Sequence, residues 1–203
     1  MDVDPVESAT SADEDSAAAR DRARIHLNSR VAITVALLAT FLGVCRVKDD
    51  NIVQAMQQAQ ADRLDHWNFY QARNIREEVA AAAATQLELA AAGASPAQQE
   101  SYHAAIASYA ALVADQAKKK EELRLQAEQD QKTYDALNYR DDQFDLSDTM
   151  IAMAISLLAL TALTHKRWLY LIALIPTVGG VVMGLAGLLG WHLRPDSLAR
   201  LLS

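Results

Sequence analysis

The sequence predicts an all-α fold that consists of three transmembrane helices and a long antiparallel, coiled-coil-like helical hairpin between the first and the second. The chain of 203 residues contains only seven glycines and four prolines, so few turns are expected. Its apolar residues fall into three blocks, and most charged residues lie between these blocks. Such segregation is not typical of a soluble domain with one core and indicates helices that cross a membrane.

Residues 1–28 are predicted to form a disordered acidic tail followed by a basic flank. The first nineteen residues contain six acidic side chains and no basic one. Such a stretch buries too little apolar surface to offset its ordering entropy. Four arginines then follow within eleven residues, directly before the first apolar block: Arg20, Arg22, Arg24 and Arg30.

Residues 29–48 are predicted to form the first transmembrane helix. Its apolar run, residues 31–47, would span about 25 Å as a helix, at the short end of what a bilayer core requires. A secretory signal peptide is disfavoured because the run begins too far from the start of the chain. Residues 42–45 (LGVC) are faintly similar to a lipoprotein cleavage site, but Val44 is bulky for the position before the cysteine. A retained anchor helix is therefore favoured.

Residues 149–165 and 168–192 are predicted to form the second and third transmembrane helices, and residues 193–203 a short C-terminal tail. A basic turn of three residues, 165–167, separates the two apolar blocks, as expected for antiparallel membrane helices joined at the headgroup level. Small residues at i, i+4 and i+7 of the third helix favour a close helix-packing face, formed by Gly180, Gly184 and Gly187. The sequence leaves open whether this face contacts the same chain or another subunit.

Residues 49–148 are predicted to form an extramembrane helical hairpin with its turn at residues 93–96. Gly93 suits the position after a helix, and Pro96 the first turn of the next one. Apolar residues of the first arm recur every eleven residues, which favours nearly straight packing. Pairing residues whose numbers sum to 188–190 brings large apolar side chains of the two arms together. The predicted seam comprises Val53, Met56, Trp67, Ile75, Val79 and Leu87 in the first arm, and Tyr102, Tyr109, Val113, Leu123, Tyr134 and Leu137 in the second.

Phe69 is a possible contact with another subunit. It lies about 200° round the helix from Trp67, so it points away from the second arm if Trp67 faces that arm. An isolated exposed aromatic side chain without a partner is the simpler interpretation.

A cluster of carboxylates is predicted next to the membrane. One interpretation is an acidic collar that binds a divalent cation, because such ions prefer several carboxylate oxygens. The simpler interpretation, which we favour, is a solvated anionic face that is partly paired with Lys48 and Arg140. The cluster comprises Asp141, Asp145 and Asp148 on one helical face, with Asp49 and Asp50 across the hairpin.

Several segments resemble an uncharacterised bacterial membrane-protein family, domain of unknown function 4337. The similar segments are residues 28–32 (NSRVA), 47–52 (VKDDNI), 67–73 (WNFYQAR) and 144–146 (FDL). The resemblance covers about residues 25–192 and implies an inner-membrane protein with three membrane helices. It implies no activity.

The sequence contains no constellation typical of an enzyme. Its five histidines are scattered without metal-ligand spacing, and no phosphate-binding loop or nucleophile elbow is present. We therefore expect no catalytic residue, no metal site and no cofactor. The single cysteine excludes an intramolecular disulfide, and the net charge of −7 argues against nucleic acid as a partner.

We expect a structural or scaffolding protein of the bacterial inner membrane, with the lipid bilayer and either further copies of itself or an unidentified membrane protein as partners. The alternative is an accessory or pore-forming subunit of a transport complex. The first apolar block is uncharged up to Cys45, with Arg46 near its end, and the interiors of all three blocks contain no charged residue, which disfavours a transporter or a proton relay. Short basic turns are retained in the cytoplasm, so we expect a cytoplasmic N-terminus and a periplasmic hairpin and C-terminus.

Overall fold

The computed structural model describes residues 5–191 and 193, with side chains from Ala18 onwards. Over these residues it contains three α-helices and no β-strand, which confirms the all-α prediction. Helix α1 spans Pro5–Ala91, helix α2 spans Pro96–Thr164 and helix α3 spans Arg167–Leu189.

The start of helix α1 differs from the sequence prediction of a disordered tail over residues 1–28. The helix begins at Pro5, and residues 1–4 lie outside the described part of the chain. Proline suits the first turn of a helix, and acidic residues near an N-terminus interact favourably with the helix dipole. Alanines at positions 17–19 also have high helix propensity. Local propensity therefore favours helix here without a core.

Each helix contains a stretch that is long and apolar enough to cross a membrane. These stretches lie within Ala18–Ala91, Pro96–Thr164 and Arg167–Leu189. Their length and composition indicate a membrane protein with three spanning helices.

The chain divides into two compact units. Residues 1–52 and 139–203 form the first, which we call the membrane unit. Residues 53–138 form the second, which we call the arm unit. Within the arm unit, arm one is residues 53–91 of helix α1 and arm two is residues 96–138 of helix α2.

The turn of the arm unit lies at residues 92–95, one residue earlier than predicted. The Ser95 hydroxyl donates to Gln98 Oε1 at 2.8 Å, and the Ser95 backbone N–H points to the same oxygen at 3.3 Å. The bond from the Ser95 N–H is one half of a capping box, in which the side chain at the third helical position binds back to the cap. It fixes the start of helix α2 at Pro96.

The core of the membrane unit forms where the three helices meet. Its central side chains are almost fully buried and come from all three helices: Val31 and Leu38, Ile151, Ala154 and Leu158, and Ala173. The hydroxyl groups of Thr34 and Tyr170 lie 3.2 Å apart beside this core. Gly190 caps the end of helix α3, and its φ of 70° is a left-handed conformation that glycine adopts without strain.

Candidate functional site

The two arms contact each other along a face with a seven-residue repeat, which we call the inner seam. Spacings of three and four residues are those of a heptad repeat, in which helices pack with interlocking side chains. In arm one, the buried and half-buried side chains at these spacings are Met56, Ala59, Arg63, His66, Tyr70, Arg73, Glu77, Ala80, Ala84 and Leu87. In arm two they are Tyr102, Ile106, Val113, Gln116, Lys120, Leu123, Ala127, Asp130, Tyr134 and Leu137.

Polar side chains join the arms in the middle of the inner seam. His66 Nδ1 lies 2.7 Å from Asp130 Oδ2, and the Arg73 guanidinium donates to Gln116 Oε1 at 3.0 Å. Gln116 is only 4% exposed, so this bond satisfies a group that water hardly reaches. Partner numbers fall from 130 to 116 as arm-one numbers rise from 66 to 73, as in an antiparallel pair of helices.

Lys120 forms the third polar contact between the arms. Its ammonium lies 2.7 Å from Glu77 Oε2 and donates to Asn74 Oδ1 at 3.0 Å. It also lies 6.0 Å from the centre of the Tyr70 ring, which packs against Trp67 in a T-shaped arrangement at a centroid distance of 5.3 Å. The hydrogen bond to Glu77 raises the pKa of Lys120, so the lysine is held in its charged form.

The predicted seam residues divide into three groups by exposure. Trp67 and Tyr109 are each 37% exposed and lie at the margin of the contact. Ile75 and Val79 are 60% and 64% exposed, so they do not lie in the buried part of the contact, where the predicted pairs with Val113 and Tyr109 would place them. The remaining predicted residues are buried or half-buried: Val53, Met56, Leu87, Tyr102, Val113, Leu123, Tyr134 and Leu137.

The sequence prediction missed the middle third of the inner seam, because the seam is polar there. A search for repeating large apolar residues passes over His66, Arg73 and Glu77, although they follow the heptad spacing with Tyr70. Pairing these residues with complementary ones of arm two would have found the seam. The eleven-residue apolar repeat is also present, but it lies on another side of arm one.

The glycine face of helix α3 packs inside the membrane unit. A Cβ atom on Gly180 would lie 2.7 Å from Ile151 Cγ1 and 3.1 Å from the Ser147 carbonyl oxygen. A Cβ on Gly184 would lie 2.7 Å from the Phe41 ring. The Ser147 hydroxyl also donates to the Gly180 carbonyl at 2.8 Å. The predicted packing face therefore contacts helices of the same chain.

Gly187 extends this close contact towards the end of helix α3. A Cβ atom there would lie 2.8 Å from the Phe144 ring. The carbonyl of Gly187 accepts hydrogen bonds from the Arg140 guanidinium at 2.9 and 3.3 Å. A cation at a helix C-terminus satisfies free carbonyls and interacts favourably with the dipole. Arg140 therefore binds helix α3. The predicted pairing of Arg140 with the carboxylate cluster is not its main contact.

The predicted carboxylate cluster is only partly neutralised. Arg46 binds Asp148 through one guanidinium nitrogen at 3.1 and 3.3 Å from its two oxygens. The pKa of Asp49 is raised to about 6. Burial is the main cause, and the charge of the neighbouring Asp141 and a hydrogen bond with it are the next. Burial and the charge of Asp141 also raise the pKa of Asp145. The cluster therefore takes up protons above the ordinary range of aspartate.

A cavity of about 50 Å³ lies beside this cluster in the membrane unit. Its lining combines apolar side chains with the carboxylates, and comprises Leu42, Cys45, Arg46, Asp49, Phe144, Asp145 and Asp148. Among residues whose side chains are described, no group of three or more histidine, cysteine or acidic side chains is arranged to hold a metal ion.

Residues 27–190 match the family described as Domain of unknown function (DUF4337). The chain belongs to this family. No curated protein and no solved structure matches the chain. The DUF4337 match includes the inner seam, the glycine face and the carboxylate cluster, so all three are features of the family's domain in this chain. The first turns of helix α1, residues 5–26, lie outside it.

Proposed function

We propose that this DUF4337 protein is a structural component of the bacterial inner membrane. Its arms form a closed, coiled-coil-like antiparallel hairpin that self-associates or holds a partner. The observation that supports this proposal is the set of paired polar groups along the inner seam, where His66 meets Asp130 and Lys120 meets Glu77.

A polar inner seam suits a rigid support. Paired charges in a helix–helix contact add little net stability, but removal of one partner leaves the other uncompensated. A shift of one arm along the other would break all of these pairs at the same time. The seam therefore favours a single register and keeps the outward sides of the arms in fixed positions, as a binding scaffold requires.

Cross-linking of the native protein in its own membrane, followed by mass spectrometry, tests this proposal. An amine-reactive reagent has targets on arm two in Lys118 and Lys119, whose side chains are 79% and 45% exposed. We expect recurrent links from these lysines to a second copy or to one partner protein. Links confined to a single chain would contradict a scaffolding role.

The competing proposal is an accessory or pore-forming subunit of a transport complex. Purified protein in liposomes distinguishes the two, because a pore releases trapped ions or dye and a scaffold does not. Flux that depends on the amount of protein would favour the pore. We expect no flux above that of empty liposomes.

We further propose that the N-terminus faces the cytoplasm and that the arms lie in the periplasm. Lys166 in the short turn between helices α2 and α3 and Arg167 at the start of helix α3 support this orientation, since short basic turns are retained inside. The test uses Ser95→Cys, which places a thiol at the exposed turn of the arm unit, in a Cys45→Ser background. A membrane-impermeant thiol reagent should label it in intact cells; labelling only after lysis of the inner membrane would reverse the orientation.

A further inference from the structure

Arm one carries a second stripe of apolar side chains, on the side opposite the inner seam. With Leu64 as the origin and about 100° per residue, Ile75 lies at about 20° and Val79 at about 60°. His66 and Arg73 of the inner seam lie at about 200° and 180° on the same scale. We call the arm-one residues within about 60° of Leu64 the outer face. Its large apolar side chains are exposed: Leu64 52%, Trp67 37%, Ile75 60%, Val79 64% and Leu89 74%.

The outer face is almost free of charge. Glu78 is its one charged side chain, and its carboxylate accepts a hydrogen bond from Asn74 at 2.8 Å. Two copies that meet at this face therefore bring few like charges together, so charge repulsion opposes the contact little. The remaining members of the outer face are the half-buried Val53 and a set of amides and small residues: Gln57, Gln60, Ala61, Asn68, Gln71, Ala82, Thr85 and Gln86.

The spacing of the apolar residues on the outer face indicates which helix can pack against it. Val53, Leu64 and Ile75 are separated by eleven residues, which keeps the stripe nearly straight along the helix. A straight stripe packs along its full length against a helix with the same period. On arm two the exposed Leu112 and Leu125 are thirteen residues apart and do not continue this repeat. The matching partner is therefore arm one of another copy.

We infer that the outer face binds the outer face of a second copy, arm one against arm one. This inference rests on the proposed function and names the surface and the partner. Copies inserted in the same membrane share one direction, so the two arms lie parallel and each residue faces its own counterpart across a two-fold axis. Leu64 then packs near the second Leu64, and Ile75 near the second Ile75.

The size of the outer face is sufficient for a specific contact. From Val53 to Leu89 the helix is about 54 Å long, and a helix with its side chains is about 10 Å wide. Such a strip offers about 500 Å² per copy, or about 1,000 Å² in total, which reaches the lower limit of specific interfaces. Confinement of both copies to one membrane raises their effective concentration and favours the contact.

Cysteine cross-linking of the full-length protein in native membranes tests this inference. Ile75→Cys, in a Cys45→Ser background, places a thiol near the centre of the outer face. Phe69→Cys is the matched control, since Phe69 is also 60% exposed but lies at about 140°, outside the face. Under mild oxidation, Ile75→Cys should give at least about five times more disulfide-linked dimer than Phe69→Cys, because the bond requires Cα atoms within about 7 Å.

A second measurement tests the inference if the two thiols do not come close enough to form a disulfide. Ile75→Gln with Val79→Gln should shift the detergent-purified protein from dimer towards monomer in light scattering, with unchanged helix content, whereas Phe69→Gln should not. Dimers linked through Phe69→Cys and insensitive to the glutamines would overturn the inference but leave the proposed function, because copies would associate elsewhere. A monomeric wild type without any linked dimer would overturn the inference and remove self-association from the proposed function.

Discussion

The imidazole of His66 lies 2.7 Å from the carboxylate of Asp130, and both side chains are mostly buried between the arms, with 29% and 22% exposure. Neither residue belongs to an apolar repeat, yet each occupies a heptad position where a simple coiled coil has a leucine or valine. The contact joins residues separated by 64 positions in the chain. It can therefore form only when the two arms pack against each other.

We predict that His66→Ala destabilises the arm unit by about 1–3 kcal/mol, because it leaves the half-buried Asp130 carboxylate without its partner. Hydrogen exchange of full-length protein, read by mass spectrometry on peptides from residues 53–138, should show faster exchange on both arms. His103→Ala is the control, since His103 is exposed.

A double-mutant cycle distinguishes loss of the contact from a general effect of either substitution. If the two side chains interact, His66→Ala combined with Asp130→Ala should cost less than the sum of the single changes, by about 1 kcal/mol. Strict additivity would show that the two residues stabilise the arms independently.

The arm unit also shows how far the sequence alone predicts this fold. The turn between the arms follows from local chemistry, because Gly93 has low helix propensity and Pro96 is favoured in the first turn of a helix. The register of the two arms could not be predicted in the same way. Two repeats coexist on arm one, and the apolar repeat is the one whose side chains are exposed. Ile75 and Val79 look like core residues in the sequence, and only their 60% and 64% exposure places them on the outer face.

Ala80 tests closure of the arms at a second point. Its side chain is 2% exposed, whereas the next residue, Ala81, is exposed. We predict that Ala80→Leu destabilises the arm unit by about 1–3 kcal/mol, because the additional carbon atoms of leucine cannot fit a closed contact without strain. Ala81→Leu is the same chemical change one residue away and should be nearly neutral. Equal hydrogen-exchange rates in the two variants would contradict a closed inner seam.

The glycine contacts of helix α3 give a prediction for the membrane unit. In Gly180→Ala the new methyl would meet two backbone atoms of helix α2, the Ser147 carbonyl oxygen at 3.1 Å and the Ile151 nitrogen at 3.2 Å, as well as Ile151 Cγ1 at 2.7 Å. Backbone atoms in a packed helix do not move aside individually. We predict a loss of about 1–3 kcal/mol, seen as a lower midpoint of thermal unfolding in detergent.

Gly43→Ala is the matched control for this prediction. A Cβ atom on Gly43 would meet nothing within 4 Å, and alanine has the higher helix propensity. Its midpoint should equal or slightly exceed that of the wild type. A fall as large as that of Gly180→Ala would show that loss of a glycine, and not the close approach, lowers stability.

The sequence predicted the small-residue face at Gly180, Gly184 and Gly187 because spacing alone places these residues on one side of a helix. It could not predict the partner, since many apolar helices would fit equally well against glycine. The ring of Phe41 from helix α1 and the ring of Phe144 from helix α2 fill the space beside Gly184 and Gly187. These contacts depend on how three helices meet, which no local pattern encodes.

The carboxylate cluster makes the stability of the membrane unit depend on pH. The pKa of Asp49 is raised to about 6 in the folded protein, mainly by burial and then by Asp141, from an ordinary value of 3.8. The folded state therefore binds more protons than the unfolded state between these two values, and stability falls as pH rises through this window. We predict that the thermal midpoint in detergent decreases between pH 4.5 and pH 7, corresponding to about 1 kcal/mol after allowance for solvent screening.

Asp49→Asn isolates the contribution of this group. The amide carries no charge at any pH, so the variant should match the wild type near pH 4.5 and exceed its stability at pH 7. Part of the decrease in stability with rising pH should persist in this variant, because the pKa of Asp145 is also raised by burial and by the charge of Asp141. Asp65→Asn removes an exposed carboxylate of the arm unit and should leave the pH dependence unchanged. A variant at Asp49 that is less stable than the wild type at pH 7 would show that the Asp49 carboxylate stabilises the fold in its ionised form, contrary to the raised pKa.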